Sequence, residues 1–168
     1  MAVSMYQASV PVCIRMMNNL KAIMKKGEAF AETKKIDLDV FFNYRLAPDM
    51  LPFASQIRIV SDVAKGCAAR LAGIEPPKFE DNEKTYAELY ARLDKTIDFL
   101  NTLKPEQIDG SEDKTITLKL PNVTLELTGT QLLHHFSMPN LYFHISTAYN
   151  ILRHNGVELS KQDYIGKP

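Results

Sequence analysis

The sequence predicts a mainly α-helical protein, a four-helix bundle with a β-hairpin inserted before the last helix. Two patterns carry that expectation. Four stretches space their apolar residues three or four apart, the repeat that gathers them on one face of a helix. Residues 114–127 instead alternate apolar and polar side chains, the repeat of half-buried strands. Size sets the scale: 168 residues with 45% hydrophobic content make one ordinary globular domain, spanning residues 1–168.

The first helix is expected from about Ser4 to Lys26, with Tyr6, Ser9, Cys13, Met16, Leu20 and Ile23 as its seam. Pro11 should kink it or mark its true start, because proline lacks an amide donor and crowds the preceding turn. Gly27 reads as the C-terminal cap, with at most a turn or two more before Lys35. Residues 36–48 read as a loop carrying Phe41, Phe42 and Tyr44. Exposed aromatic clusters are costly, so a packed cap over the bundle end is favoured over a lid.

The second helix is expected to start at an Asp49 cap and end at Gly73. Its stripe is Phe53, Gln56, Val60, Ala64, Cys67 and Leu71. Gln56 is the odd member, since a buried amide must find hydrogen-bond partners. Glu75-Pro76-Pro77 forms a stiff connector. The third helix covers about Asp81 to Leu103, with Tyr86, Leu89, Leu93, Ile97 and Leu100 inward. Glu83, Lys84, Glu88, Arg92, Lys95 and Asp98 mostly decorate its other faces, and Pro105 stops it.

Strands follow at 114–120 and 123–127, joined through Pro121-Asn122. An isolated hairpin is marginal in water, so it must pack on the bundle or pair with another chain. The last helix is expected in two pieces, Thr130 to Phe136 and Asn140 to Asn155, broken at Met138-Pro139 and closed by Gly156. The tail, residues 157–168, shows no helical period and should lie along the surface.

Composition excludes several functions. Lys+Arg and Asp+Glu are 20 each, so the formal net charge is zero, which argues against a nucleic-acid partner. No apolar run approaches the roughly 18 residues of a membrane span, and no secretory leader pattern opens the chain. A cytoplasmic protein is the expectation. Cys13 and Cys67 sit in apolar helical surroundings and read as buried, reduced thiols. There is no GxGxxG, P-loop, GxSxG or HExxH pattern.

Two segments carry a resemblance: YRLAPDMLPFASQIRIVSDVAKGCAARLAG, residues 44–73, and NLYFHISTAYNILRHNGVELSKQDYIG, residues 140–166. A weaker match covers SMYQASVPVCIRMMNNL in the first helix. Together they resemble the DinB/YfiT-like four-helix superfamily of metalloenzymes, and within it a family known only as a domain of unknown function. The resemblance implies up-down-down-up helix order and a homodimer. It also implies a site: metal-binding members use one histidine from the second helix and a His-x-x-x-His pair from the last. Residues four apart on a helix stand one above the other, so two imidazoles can reach one ion, and zinc or nickel would accept such a set.

In this chain His144 takes the first position of that pair. Ala148 stands at the second, and Gln56 stands on the second helix. One ligand of three survives, so no metal cofactor is expected. The candidate ligand-binding residues are Gln56, His144, Tyr149 and Arg45. His144 reads as a structural polar group, a pocket residue or a metal ligand. If it and Gln56 both face the bundle axis, imidazole and amide could meet where the ion is lost. Arg45 and Asp49 read as a loop-fixing ion pair or as anion recognition at a pocket mouth. Tyr6, Tyr142 and Tyr149 read as core residues with a partnered hydroxyl, or as ligand contacts near His144. His134 and His135 suit surface or packing roles, and His154 a helix cap. The expected function is small-molecule binding or regulation. The alternative is a metal-dependent enzyme, a thiol transferase or hydrolase, with a non-standard site at His144.

Overall fold

The computed structural model describes residues 3–167. The elements run α1 Met5–Lys34, α2 Leu38–Asn43, α3 Phe53–Ala72, α4 Tyr86–Thr102, α5 Pro105–Ile108, β1 Thr115–Leu120, β2 Val123–Thr128, α6 Gly129–Gln131, a π-helical segment Leu132–Ser137, α7 Met138–His154 and α8 Lys161–Ile165. The four long helices α1, α3, α4 and α7 form the bundle, and Met17, Leu20, Phe53, Ile57, Leu89 and Leu93 fill its middle. The hairpin precedes the last long helix, as the alternation of residues 114–127 predicts.

Side-chain pairs fix the helix directions. Phe53 stacks on Tyr86 and Ser61 Oγ meets Thr96 Oγ1, so contacts between α3 and α4 advance together and the helices are parallel. Lys21 pairs with Asp94 while Glu28 accepts from Tyr90, so α1 and α4 are antiparallel. Gln56 meets His144, and Cys67 lies beside Ser137, so α3 and α7 are antiparallel as well. This is the up-down-down-up order. A parallel α3–α4 pair requires the chain to travel back along α3, whose 20 residues span about 30 Å. Residues 73–85 do this as an extended strap past Lys65 and Arg58 to the start of α3. At about 3.3 Å per residue they have the reach, and Pro76-Pro77 stiffens them.

Several boundaries differ from the sequence reading. Helix α1 continues through Gly27 to Lys34 and is capped by Lys35 in the left-handed region at φ 55. Gly27 is interior because α7 crosses closely there: a β-carbon would lie 3.2 Å from Leu152 Cδ1. Pro11 is carried inside α1, whose true start is set by a Ser4–Gln7 capping box. The aromatic loop contains a helical turn, α2, capped by Asp37, and Phe41 and Phe42 are buried. Helix α3 begins at Phe53 after Pro52, so Asp49 is not its cap. Helix α4 begins at Tyr86 behind a Thr85–Glu88 capping box.

The last helix is not broken. Its backbone stays helical through Ser137 and Met138, and the Met138 amide reaches Leu133 O, five residues back. The wider π turn makes room for the Pro139 ring, which would otherwise press on the preceding turn. The tail is not without helix either: α8 packs on α1, where Asn19 and Arg15 donate to carbonyls of residues 164–167. The hairpin turns through two residues, pairing Leu120 with Val123 and Thr115 with Thr128. It packs on the bundle through Ile116 and Leu118, both buried.

Candidate functional site

Gln56 lies one turn into α3 and His144 in the second turn of α7, on facing stripes of antiparallel helices. Both are buried, at 1% and 9% exposure. The imidazole Nδ1 and the amide Oε1 are 2.6 Å apart. The other end of the amide, Nε2, donates to Leu51 O at 2.8 Å. That bond orients the amide, so Oε1 is the acceptor and Nδ1 the donor. Burial pulls His144 below its ordinary pKa, which favours the neutral ring. The neutral ring with Nδ1–H leaves a lone pair on Nε2. The Phe143 ring stands edge-on to the imidazole at 5.2 Å and is 56% exposed.

A three-histidine metal centre does not fit this set. The helical position one turn after His144 is the fully buried methyl group of Ala148. The oxygen of Gln56 is occupied by the imidazole N–H. Among the described residues no three His, Cys, Asp or Glu side chains converge into an ion-holding group. One imidazole nitrogen remains, too little to retain a divalent transition metal.

The other candidates fall in different places. Arg45 is exposed, and its Nη1 donates to Met50 O at 2.5 Å. Its partner is thus a carbonyl rather than Asp49. It braces residues 44–52, the loop whose Leu51 carbonyl receives Gln56. Tyr149 does not join the pair. Its hydroxyl donates to Leu159 O at 3.3 Å and its ring packs against Tyr164, so it pins the C-terminal segment. Tyr142 is 38% exposed rather than core. His134 and His135 are exposed on the π-helical segment. His154, exposed in the last turn of α7, lies near the Tyr44 ring. Cys13 and Cys67 are buried free thiols, and burial pushes Cys67 up to about 11, out of the reactive range.

A buried charge network was not foreseen. Arg92, placed among the surface charges of α4 by sequence, has a side chain only 2% exposed. It binds Asp62 at 2.8 Å, Asp81 at 2.9 Å, Glu83 at 2.8 Å and the Glu80 carbonyl at 3.0 Å. Arg58 grips Glu83 from α3 at 2.8 Å. Burial works against the Glu83 charge, but the two guanidiniums outweigh it and hold the carboxyl below its usual range. Phe79 sits between three cations, with Lys95 Nζ 4.2 Å from its ring centre. These groups fasten the strap between α3 and α4, and they border a cleft of about 440 Å³. A signal was available: Arg92 is three residues after Leu89 and four before Thr96, both fully buried, so it shares their face.

Comparisons with known proteins place the fold in a family. A family model described as "Domain of unknown function (DUF1993)" matches residues 5–165. A crystal structure of a protein described as a DinB family member, from Shewanella denitrificans, is similar with 42% identity and a TM-score of 0.90. The match covers 97% of this chain and 92% of that one. No curated protein matches the chain.

Proposed function

The chain belongs to the DUF1993 domain family, and we propose that it is a metal-independent DinB-like bundle that binds a small molecule at the His144–Gln56 pair. The observation that carries this reading is the buried 2.6 Å contact between His144 Nδ1 and Gln56 Oε1. It spends the amide on the imidazole, and the imidazole then offers one acceptor, Nε2. The matching ligand is a small polar molecule with a hydroxyl or amide N–H to donate. Arg45, on the loop that Gln56 holds, supplies spare guanidinium donors for an anionic end of such a ligand. Tyr149 has no part in this site.

The homodimer implied by the resemblance belongs to the same proposal. Its support is the exposure of Tyr142 and Phe143 on α7, and light scattering that finds only monomer at micromolar concentration removes it. No described helix is long and apolar enough to cross a membrane.

Ligand binding is tested by thermal-shift screening of small hydroxyl and amide compounds against the wild type and His144→Ala. A compound present at 100 times its Kd stabilises the fold by about 2.7 kcal/mol, and that gain should vanish in the variant. Elemental analysis of protein purified without a polyhistidine tag tests the metal-free part. A stoichiometric transition metal that is lost in His144→Ala would reinstate the metal-dependent enzyme.

A further inference from the structure

A second concavity lies away from the His144–Gln56 pair. It is an open cleft bordered by α3, the hairpin and the π-helical segment, with a volume of about 270 Å³. Ile59 and Val63 of α3, Leu120 of β1 and Phe136 of the π segment form its walls. All four keep some exposure, although most apolar residues of their elements are covered. Arg70 and Lys119 stand at its rim. Among the described residues neither is paired with a carboxylate. Arg70 makes one hydrogen bond, Nη1 to Gly66 O of its own helix at 2.9 Å, which leaves most of its donor fork unused. The one acid of the cleft, Asp62, is already held by Arg92 and Lys65 at 2.8 Å each.

We propose that this cleft binds a small carboxylate with an apolar body, its head on Arg70 and its chain against Ile59, Val63, Leu120 and Phe136, with Lys119, on the exposed face of β1, adding positive charge nearby. An aliphatic monocarboxylate fits both features. The volume lies at the lower edge of ligand pockets, which run from about 300 Å³ upward, so a chain of about eight carbons is near the upper limit. A ligand of that size binds in the millimolar range.

The test is titration of the full-length ¹⁵N-labelled protein with sodium octanoate, followed by amide chemical shifts. Saturable shifts are expected in α3, β1 and residues 132–137, with a Kd of about 1 mM. Octanol, which lacks the charge, and acetate, which lacks the chain, should each bind at least tenfold more weakly. Arg70→Gln should weaken octanoate about tenfold, and Lys119→Gln, an exposed change that leaves the fold alone, about threefold. The proposal is overturned if octanoate does not saturate by 20 times that concentration, if the shifts cluster elsewhere, if octanol binds as well as octanoate, or if both variants bind octanoate as the wild type does.

Discussion

At the scale of single residues, two of the buried polar arrangements of this bundle differ in how readable they were. His144 and Gln56 each break an apolar stripe, and a lone polar residue on an inward face must find a partner. Their meeting was therefore legible from periodicity together with the resemblance. The contact makes a firm prediction: His144→Ala leaves Gln56 Oε1 buried without a donor, at a cost of about 1–3 kcal/mol. Gln56→Ala should cost a similar amount, and the double variant less than the sum, with a coupling of at least about 0.5 kcal/mol in a urea double-mutant cycle. Additive effects would mean that the two groups do not interact. Arg92 was read as a surface charge, because a charged residue is ordinarily assigned to solvent even where its spacing from Leu89 puts it on the inward face. Its removal in Arg92→Ala leaves Glu83 to Arg58 alone and takes the partner from Asp62, Asp81 and the Glu80 carbonyl, and should cost about 3 kcal/mol. Glu83→Gln keeps the shape but puts an NH2 donor against one of the two guanidiniums that now donate to the carboxylate, so it should destabilise as well, by about 1–3 kcal/mol in the same denaturation measurement. The partners of Tyr149 and Arg45, the Leu159 and Met50 carbonyls, were not legible for a simpler reason: a hydroxyl or guanidinium names a capacity to bond, while its partner depends on where another segment comes to rest.

At the scale of elements, the long helices and the hairpin were readable because each spends most of its residues on one repeat. What escaped is local chemistry set by neighbours. Gly129 shows this. The helix after the hairpin is capped by Thr128, which accepts from Gln131 N at 3.2 Å. The glycine is required for a different reason: a β-carbon there would lie 2.0 Å from the Ser111 carbonyl oxygen. That carbonyl is backbone and belongs to the turn leading into β1, so it cannot swing aside as a side-chain tip would. Gly129→Ala should therefore destabilise by about 2–3 kcal/mol, despite alanine's better helix propensity. Hydrogen exchange should show the loss first in the hairpin and residues 129–137, the segments forced apart. If Gly129→Ala is neutral or stabilising, the last helix does not approach that turn as described. The π segment escaped prediction likewise. A proline after a methionine looks like a break, and only the chain's option of a wider turn keeps α7 continuous with α6.

At the scale of the whole molecule, the parallel pair α3–α4 came from the resemblance rather than from the helices, since periodicity carries no direction. Its consequence is the long strap and the buried ions that fasten it, and these make stability depend on pH. His144 is held below its ordinary value of 6.5 by burial. Above that value the ring is neutral whether the chain is folded or not, and stability is complete. As pH falls below 6.5 the unfolded chain takes up a proton that the folded chain resists, so stability declines. The Gln56 contact survives protonation, because Nδ1 still donates; the loss comes from charging a ring that water reaches poorly. Glu83 is held below its ordinary 4.5 despite burial, by Arg92 and Arg58. Asp163 is held below 3.8, chiefly by its bond to Lys26. The sign is the same for these carboxylates, since the unfolded chain is again the first to bind protons. Urea midpoints should therefore stay level above about pH 7, slope gently down from 6.5 to 4.5, and fall more steeply below 4.5. His144→Gln should flatten the gentle part and leave the steep part in place. A midpoint that instead rises between pH 7 and 5 would mean that His144 is more basic folded than unfolded. An anion beside the ring, a bound carboxylate for instance, would then have to be placed there.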